Sequence, residues 1–366
     1  VELALDWPAV DQADPLEGLR AHAHPRRHRL DIRLAPMMRG FAAQVAEDGR
    51  HVLHLLMHHL LLDNATLAMM FAEVEAIAEG REDALPGPVP FRRFVAAARE
   101  RRGSREHEAF FTALLGDVDE PTAPFGYLDV QGDGGDIQEA ECTLPASLGR
   151  RLRLRARSMG VGVASLFHWA WGQVLARSCG RDDVVFGTVL FGRSRGESLG
   201  QALGLHINTL PVRVRLGEAT VEEGVRRVHA LLAGLMAHED APLAMVQRCS
   251  ALPKGVPLFS SLLNFRHGAA QGGQGVVPGA YGAAELLSVN ELSNYPCSLR
   301  VDDLDDAFRL STLVARPTDA AQVRDATCRA LAGLVDAREP APTTLASRID
   351  VLPEAEDSGP RLVGAV

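Results

Sequence analysis

A stretch rich in Gly, Asp and Pro, residues 116–136, divides the chain and constrains its fold more than any other feature. It ends in Gly132-Asp-Gly-Gly-Asp136, a composition typical of a connection between folded units. On each side of it, apolar runs with strand character alternate with segments of helical periodicity. The sequence therefore predicts two α/β-type lobes in tandem.

Composition excludes several classes of protein. The chain has 366 residues, of which 47 are acidic and 38 basic, so its net charge is −9. This acidic balance argues against a nucleic-acid partner. The most apolar run, residues 52–71, is interrupted by His and Asp side chains, so no membrane partner is expected. Five scattered cysteines without a CxxC pair are typical of reduced thiols, and we expect a cytoplasmic protein.

Several elements of the second half carry clear signals. Residues 183–191 and 210–216 predict strands, the second from its alternation of Val and Arg. Thr220 with Glu223 predicts a capping box for a helix that ends near residue 237. Thr318 is predicted to cap the last helix.

The densest group of reactive side chains lies between a strand and a helix. Residues 52–58 form a nearly continuous apolar run, which predicts a strand buried on both faces. Asp63 or Asn64 then offers a helix N-cap. Because side chains alternate along a strand, His58 and His59 are expected to point to opposite faces. Two adjacent imidazoles are costly to bury unless they are used, so we interpret this pair, with Asp63, as functional.

Other interpretations stay open. His54 is expected to be an ordinary core residue. His54 and His58 also share strand parity and could bind zinc, but such pairs normally lie on a helix beside a glutamate that is missing here. Arg193 follows a strand of small residues and could be the buried partner of a carboxylate. Two further groups are interpreted as structural: the basic run Arg150 to Arg157 as a solvated helix face, with docking of an acidic partner as the alternative, and Trp169 with Trp171 as helix packing.

Familiar catalytic motifs are missing from the sequence. It contains no GxSxG elbow, Walker loop or GxGxxG pattern followed by an acidic residue. Hydrolase, NTPase and dinucleotide-binding functions therefore lack a motif.

An ordered set of motifs resembles the condensation domains of nonribosomal peptide synthetases. His58-His-Leu-Leu-Leu-Asp63-Asn64 resembles the family's HHxxxDG motif, with Asn64 in place of the glycine. Later segments follow in the family's order: Asp183 to Arg193, which ends in Gly-Arg; Leu203 to Arg213, which is similar to GxxxNTLPxR; His238 to Pro242; Pro257 to His267; Asn294 to Pro296; and Val301 to Asp303. The resemblance covers about residues 25–355, and the ordered set is far more specific than any one motif.

The resemblance implies an α/β (α+β) fold of two chloramphenicol-acetyltransferase-like lobes in a V shape, with a central tunnel. Residues 1–136 would form the N-terminal lobe. We expect this lobe to be incomplete, because the family's first elements would precede residue 1. Residues 137–355 would form the C-terminal lobe, and residues 356–366 a linker tail. A crossover loop that latches the lobes together would lie near residues 255–285, around the Gly-rich stretch 268–283.

The resemblance also implies an amide-forming acyltransferase of secondary metabolism, such as antibiotic biosynthesis. A donor acyl or peptidyl thioester and an acceptor aminoacyl thioester would arrive on the 4'-phosphopantetheine arms of two peptidyl carrier domains. An adenylation domain would adjoin the chain in a larger synthetase, and the chain itself would bind no cofactor and no metal.

The resemblance assigns roles to five residues. His59 would take a proton from the acceptor amine or hold it in position, and His58 would face inward. Asp63 would be structural and would pair with Arg193 across the lobe junction. Asn208 would be a supporting residue.

Further functions remain as alternatives. Asn64 in place of the motif's glycine resembles a subgroup of the family whose members both epimerise the donor and condense it with the acceptor. A catalytically silent domain that recruits partner proteins, an acyltransferase that uses coenzyme A thioesters, and a pure epimerase are also open.

Overall fold

The computed structural model describes residues 3–11, 13–25, 27–45, 49–101, 104–132, 134, 136–193, 200–217, 220–267, 279–281, 284–289 and 293–336. Its helices are α1 (Pro15–His22), α2 (Asn64–Ala78), α3 (Arg92–Arg101), α4 (Arg105–Leu115), α5 (Ala146–Met159), α6 (Val163–Cys179), α7 (Val221–Ala237), α8 (Leu243–Gln247) and α9 (Ala320–Asp336). Its strands are β1 (Leu5–Asp6), β2 (Met38–Gln44), β3 (His51–Met57), β4 (Ile137–Thr143), β5 (Asp183–Phe191), β6 (Ile207–Arg215), β7 (Ser261–Arg266), β8 (Gly279–Tyr281), β9 (Ala284–Leu286), β10 (Cys297–Asp303) and β11 (Phe308–Ala315). These elements form a mixed α/β fold.

The larger sheet has six strands in the order β4-β11-β10-β7-β5-β6. Strand β7 pairs parallel with both β5 and β10. The pairs β5–β6, β10–β11 and β11–β4 are antiparallel. Helices α5, α6, α7 and α9 pack together on one face of this sheet. Trp169 and Trp171 of α6 are fully buried in this core, as predicted, and the indole N–H of Trp171 donates to Ser261 Oγ at 3.1 Å.

The predicted N-terminal caps of two helices are confirmed, and a third is wrong. The Thr220–Glu223 capping box begins α7, and the carboxylate of Asp63 caps α2 by accepting from the Thr66 N–H. Helix α9, by contrast, begins after Asp319, whose carboxylate accepts from the N–H of Ala321 at 2.8 Å. Thr318 is therefore not the cap, because the neighbouring carboxylate takes that position.

Helix α5 carries the basic run. Arg150 and Arg157 are exposed, which confirms the predicted solvated face for these two residues. Arg153 instead turns inward, lies 2.5 Å from Asp303 and stacks over the ring of Phe308. Part of the predicted solvated face is thus used to join α5 to β10 and β11.

The smaller sheet has three strands in the order β1-β2-β3, and helix α1 packs on one face of it. His54 lies on that face beside the ring of Phe41. It is only half-buried, so its prediction as an ordinary core residue is wrong in degree. The prediction that residues 52–58 form a strand buried on both faces is wrong, because Leu53 is 53% exposed. Among the described strands β3 lies at the edge of its sheet, and the run of apolar residues could not show this.

The region of the predicted latch is described only in part. Residues 268–278 and 282–283 lie outside the described residues, whereas strands β8 and β9 pair antiparallel. Leu286, the last residue of β9, packs against the cluster around Leu62 and Leu67, and Ser288 Oγ accepts from Arg20 at 2.8 Å. This segment therefore contacts elements that precede residue 80, while β7 and β10 on either side of it belong to the larger sheet.

The division into lobes at residues 136 and 137 stays a prediction. The larger sheet begins at β4, but helix α4 precedes it and inserts Phe111 and Leu115 into the core of that sheet. Residues 337–366 lie outside the described residues, and they include the end of the predicted C-terminal lobe and the predicted tail 356–366.

Candidate functional site

The two histidines lie in the turn that joins β3 to α2. The N–H of His58 donates to the carbonyl of Met37 at 3.0 Å, and its Nδ1 accepts from the N–H of Leu60 at 3.1 Å. His58 is half-buried and His59 is exposed. The ring of His58 therefore stabilises the turn. Both residues follow the end of β3 at Met57, so the strand alternation from which opposite faces were expected does not reach them.

The contacts of His59 set the position of its proton. Its Nδ1 lies 3.0 Å from the carbonyl oxygen of Leu62. Because a carbonyl can only accept, Nδ1 must carry the hydrogen, and in the neutral ring the lone pair then lies on Nε2. This arrangement gives an exposed side chain whose Nε2 can accept a proton.

Asp63 connects this turn to the larger sheet. Its buried carboxylate accepts from the Thr66 N–H at 2.8 Å, from Arg193 Nη2 at 2.8 Å and from the backbone N–H of His206 at 2.9 Å. The ion pair with Arg193, which the resemblance implied, is thus present, and the side chains are 2% and 17% exposed. Burial raises the pKa of Asp63, but the three donors outweigh it and hold the pKa below its ordinary value.

Arg193 is held by more than the carboxylate. It follows β5, and its Nη1 donates to the carbonyl of Gly200 at 2.5 Å and approaches the sulfur of Met69 at 3.5 Å. Because the guanidinium contacts both α2 and the residues between β5 and β6, it fixes these two parts of the chain relative to each other.

Asn208 acts at a different point of the same region. Its Nδ2 donates to the carbonyls of Glu239 and Ala241, each at 2.8 Å, and its Oδ1 accepts from the Thr209 N–H. Asn208 therefore anchors residues 239–241 to β6, two residues beyond His206. The structure brings Asp63 and Arg193 together and joins His59 to them through Leu62, whereas Asn208 supports the larger sheet.

Sequence reasoning missed five residues beside the ion pair. The hydroxyl of Thr66 bonds to both backbone groups of Gly204, and the rings of Phe91 and Phe94 pack against His206. A Cβ on Gly204 would lie 2.2 Å from the ring of Phe91. A hydroxyl residue at the third position of a predicted helix could have drawn attention to Thr66. Its hydrogen-bond partner, Gly204, lies 138 residues away and could not be found in this way.

The described residues contain neither a group suited to binding a metal ion nor a helix suited to crossing a membrane. The described His, Cys, Asp and Glu side chains form no group of three or more that could hold a metal ion. Within the same ranges, no helix combines the length and the apolar character that crossing a membrane requires.

Comparison with known proteins supplies an independent line of evidence. A family model described as the condensation domain matches residues 11–357. The malpibaldin synthetase of Mortierella alpina is 43% identical over 364 residues, an alignment that covers 96% of this chain and 6% of the synthetase. The chain thus spans a small fraction of the length of that relative.

Solved structures show the same fold. A four-domain nonribosomal peptide synthetase matches with a TM-score of 0.78 at 14% identity, over 97% of this chain and 28% of that one. The first condensation domain of the calcium-dependent antibiotic synthetase, in complex with a substrate analogue, matches with a TM-score of 0.69 at 20% identity, over 95% and 81%. These matches confirm the predicted fold class, which is chloramphenicol-acetyltransferase-like.

Proposed function

The chain belongs to the condensation domain family, and we propose that it forms a peptide bond between two carrier-bound substrates in nonribosomal peptide synthesis. The donor is an acyl or peptidyl thioester, the acceptor is an aminoacyl thioester, and each is carried on the 4'-phosphopantetheine arm of a carrier domain. The observation that carries the proposal is the bond between His59 Nδ1 and Leu62 O, which leaves the lone pair of the neutral ring on Nε2.

The reaction needs little beyond positioning and proton transfer. The acceptor amine attacks the thioester carbon of the donor, a C–N bond forms and the C–S bond breaks. The proton lost by the amine passes to His59 Nε2, and the departing pantetheine thiolate takes up a proton. Neutral imidazole suits this step because its ordinary pKa, about 6.5, lies near physiological pH. Holding the amine beside the thioester supplies much of the rate.

Asp63 and Arg193 support His59 without touching the substrates. Asp63 caps α2 immediately after Leu62, whose carbonyl holds the His59 ring. Its bonds to Arg193 and His206 fix that turn against the larger sheet. We assign His59 as the catalytic residue, and Asp63, Arg193, His58 and Asn208 as supporting residues.

The partners are proposed from the relatives. The chain matches 6% of the malpibaldin synthetase and 28% of a four-domain synthetase. Peptidyl carrier domains and an adjacent adenylation domain are therefore the proposed partners. We propose epimerisation of the donor before condensation as a separate question, which the chirality of the product answers.

A reaction with two loaded carriers tests the proposal. The protein that contains this chain is mixed with a peptidyl-loaded donor carrier and an aminoacyl-loaded acceptor carrier, and intact mass and chirality of the product are measured. His59→Ala should abolish transfer to the acceptor. The control is His51→Ala, which changes an exposed histidine at the start of β3 and should leave transfer unchanged.

Each alternative has its own outcome in this experiment. Binding of both carriers without transfer would indicate a silent recruiting domain. Equal rates with free coenzyme A thioesters would indicate an acyltransferase that needs no carriers. An inverted donor without a new amide bond would indicate an epimerase.

A further inference from the structure

Thr66 uses every hydrogen-bonding position of its hydroxyl. The side chain is buried, and its Oγ1 donates to the carbonyl of Gly204 at 2.6 Å. The same oxygen accepts from the N–H of Gly204 at 3.1 Å and from Nη2 of Arg193. A hydroxyl has one donor and two acceptor positions, so this one is fully satisfied.

The partner of Thr66 is a segment that is fixed on its other side as well. Gly204 lies against the ring of Phe91 so closely that no side chain fits there. Two residues further on, the N–H of His206 donates to Asp63. The backbone of residues 204–206 is therefore held against the start of α2 at two points, one through Thr66 and one through Asp63.

The hydroxyl is not needed to form the helix. Thr66 occupies the third position of α2, where a capping box would place Glu or Gln, whose side chain would bond to the backbone N–H of the N-cap residue. Here the N-cap residue is Asp63, whose carboxylate accepts a hydrogen bond from the backbone N–H of Thr66. The threonine side chain bonds to Gly204 instead. Removal of the hydroxyl should therefore leave the cap intact.

We propose that Thr66 is a positioning residue for the condensation reaction, an inference that rests on the function proposed above. Arg193 and Asp63 bring opposite charges together, whereas Thr66 adds two directional bonds that fix the orientation of the Gly204 peptide groups. Through Asp63 and Leu62, the bonds of Thr66 to Gly204 set where Nε2 of His59 lies relative to the larger sheet.

Replacement by valine, which keeps the shape and removes the hydroxyl, tests the role. Thr66→Val should lower kcat at least about tenfold, because a displacement near 1 Å can reduce an enzymatic rate by up to about 100-fold. The KM for each loaded carrier should stay within about twofold, since Thr66 does not contact the substrates. Thr66→Ser, which retains the hydroxyl, should restore most of kcat.

The matched control is a second buried helical threonine. Thr327 of α9 is buried and donates only within its own helix, to the carbonyl of Val323 at 2.9 Å. Thr327→Val should leave kcat unchanged. Amide hydrogen exchange of residues 203–206 should accelerate in Thr66→Val and not in Thr327→Val.

The outcomes separate this inference from the proposed function. Full turnover by Thr66→Val, or a Thr66→Ser variant as slow as Thr66→Val, would overturn the positioning role while condensation by the wild type stands. Unchanged exchange of residues 203–206 would overturn it equally. Absence of transfer by the wild-type protein would instead refute the proposed function and, with it, any role of Thr66 in that reaction.

Discussion

The six-stranded and three-stranded sheets differ in how completely they bury apolar side chains. The larger sheet and its helices enclose one continuous core in which Phe167, Trp171 and Leu263 are inaccessible to solvent. The cluster beside the smaller sheet contains four buried hydrophobic residues among those described: Leu19, Ala23, Phe41 and Ala43. Near it, Trp7 and Leu53 are 60% and 53% exposed. Most of the hydrophobic stabilisation therefore lies in the larger sheet.

This difference explains the number of bonds around Asp63. His58 and His59 follow β3 of the less buried sheet, and the strands of this sheet alone give them little rigidity. Arg193 and the N–H of His206 extend from the better packed sheet and hold Asp63. We infer that the larger sheet acts as the rigid support and that the turn bearing His59 depends on it.

The difference in stability between the two cores is tested most strongly by removing one buried phenylalanine from each. Phe167→Ala should lower the free energy of unfolding by about 4 kcal/mol, as for other large core residues. Phe41→Ala should lower it by about half as much, because its small cluster can collapse around the gap, and it should accelerate amide exchange in β2 and β3. Chemical denaturation measures the first effect and hydrogen exchange the second. Equal losses from both changes would refute the comparison.

The link between the sheets is tested by removing the charge of Asp63. Asp63→Asn leaves the guanidinium of Arg193 without its buried counter-charge and should lower the free energy of unfolding by about 3 kcal/mol. The rate of condensation should fall with it. Asp6→Asn, which disrupts an exposed ion pair with Arg39, is the control and should change neither quantity measurably. Normal stability with a loss of rate alone would contradict a structural role for Asp63.

The same ion pair predicts the direction of a pH effect. The pKa of Asp63 in the folded protein lies below its ordinary value, so the stabilisation is fully present above about pH 4. It is lost as the pH falls through the lower pKa of the folded state. The difference in unfolding free energy between wild type and Asp63→Asn should therefore be constant from pH 7 to about pH 5 and shrink below pH 4. A constant difference down to pH 2 would contradict this linkage.

Local features of the sequence predicted much of this architecture. The bounds of β5 and the capping box of α7 follow from strand composition and from two residues three positions apart. The exposure of β3 could not be predicted in this way, because an apolar run does not reveal which elements cover it. Thr318 and Asp319 are neighbouring hydroxyl and carboxylate residues that give the same capping signal, and only the backbone geometry separates them.

The site was predictable to a lesser degree, because its contacts join residues far apart in the chain. His58, His59 and Asp63 form a group within one turn and can be recognised there. The pairing of Asp63 with Arg193 came only from the family resemblance, since 130 residues separate them. The bonds of Thr66 to Gly204 and the contact of Gly204 with Phe91 have no local signal.

A smaller effect is expected from the support that Asn208 gives to the larger sheet. Asn208→Ala leaves the carbonyls of Glu239 and Ala241 without this donor, and should lower the free energy of unfolding by about 1.5 kcal/mol. Because these residues belong to the side of the better packed sheet, the variant should keep its condensation rate per folded molecule. A loss of rate that stability does not explain would show that residues 239–241 belong to the site itself.

The smallest effect is expected at an exposed apolar side chain of the smaller sheet. Leu53 lies opposite Ala42 in the β2–β3 pair and is more than half exposed. Leu53→Thr replaces an exposed apolar side chain with a residue that favours strands, so the free energy of unfolding should change by less than about 0.5 kcal/mol. Chemical denaturation measures this change. A loss above about 1 kcal/mol would mean that Leu53 is covered, and the contrast between the two sheets would then be smaller than its exposed fraction indicates.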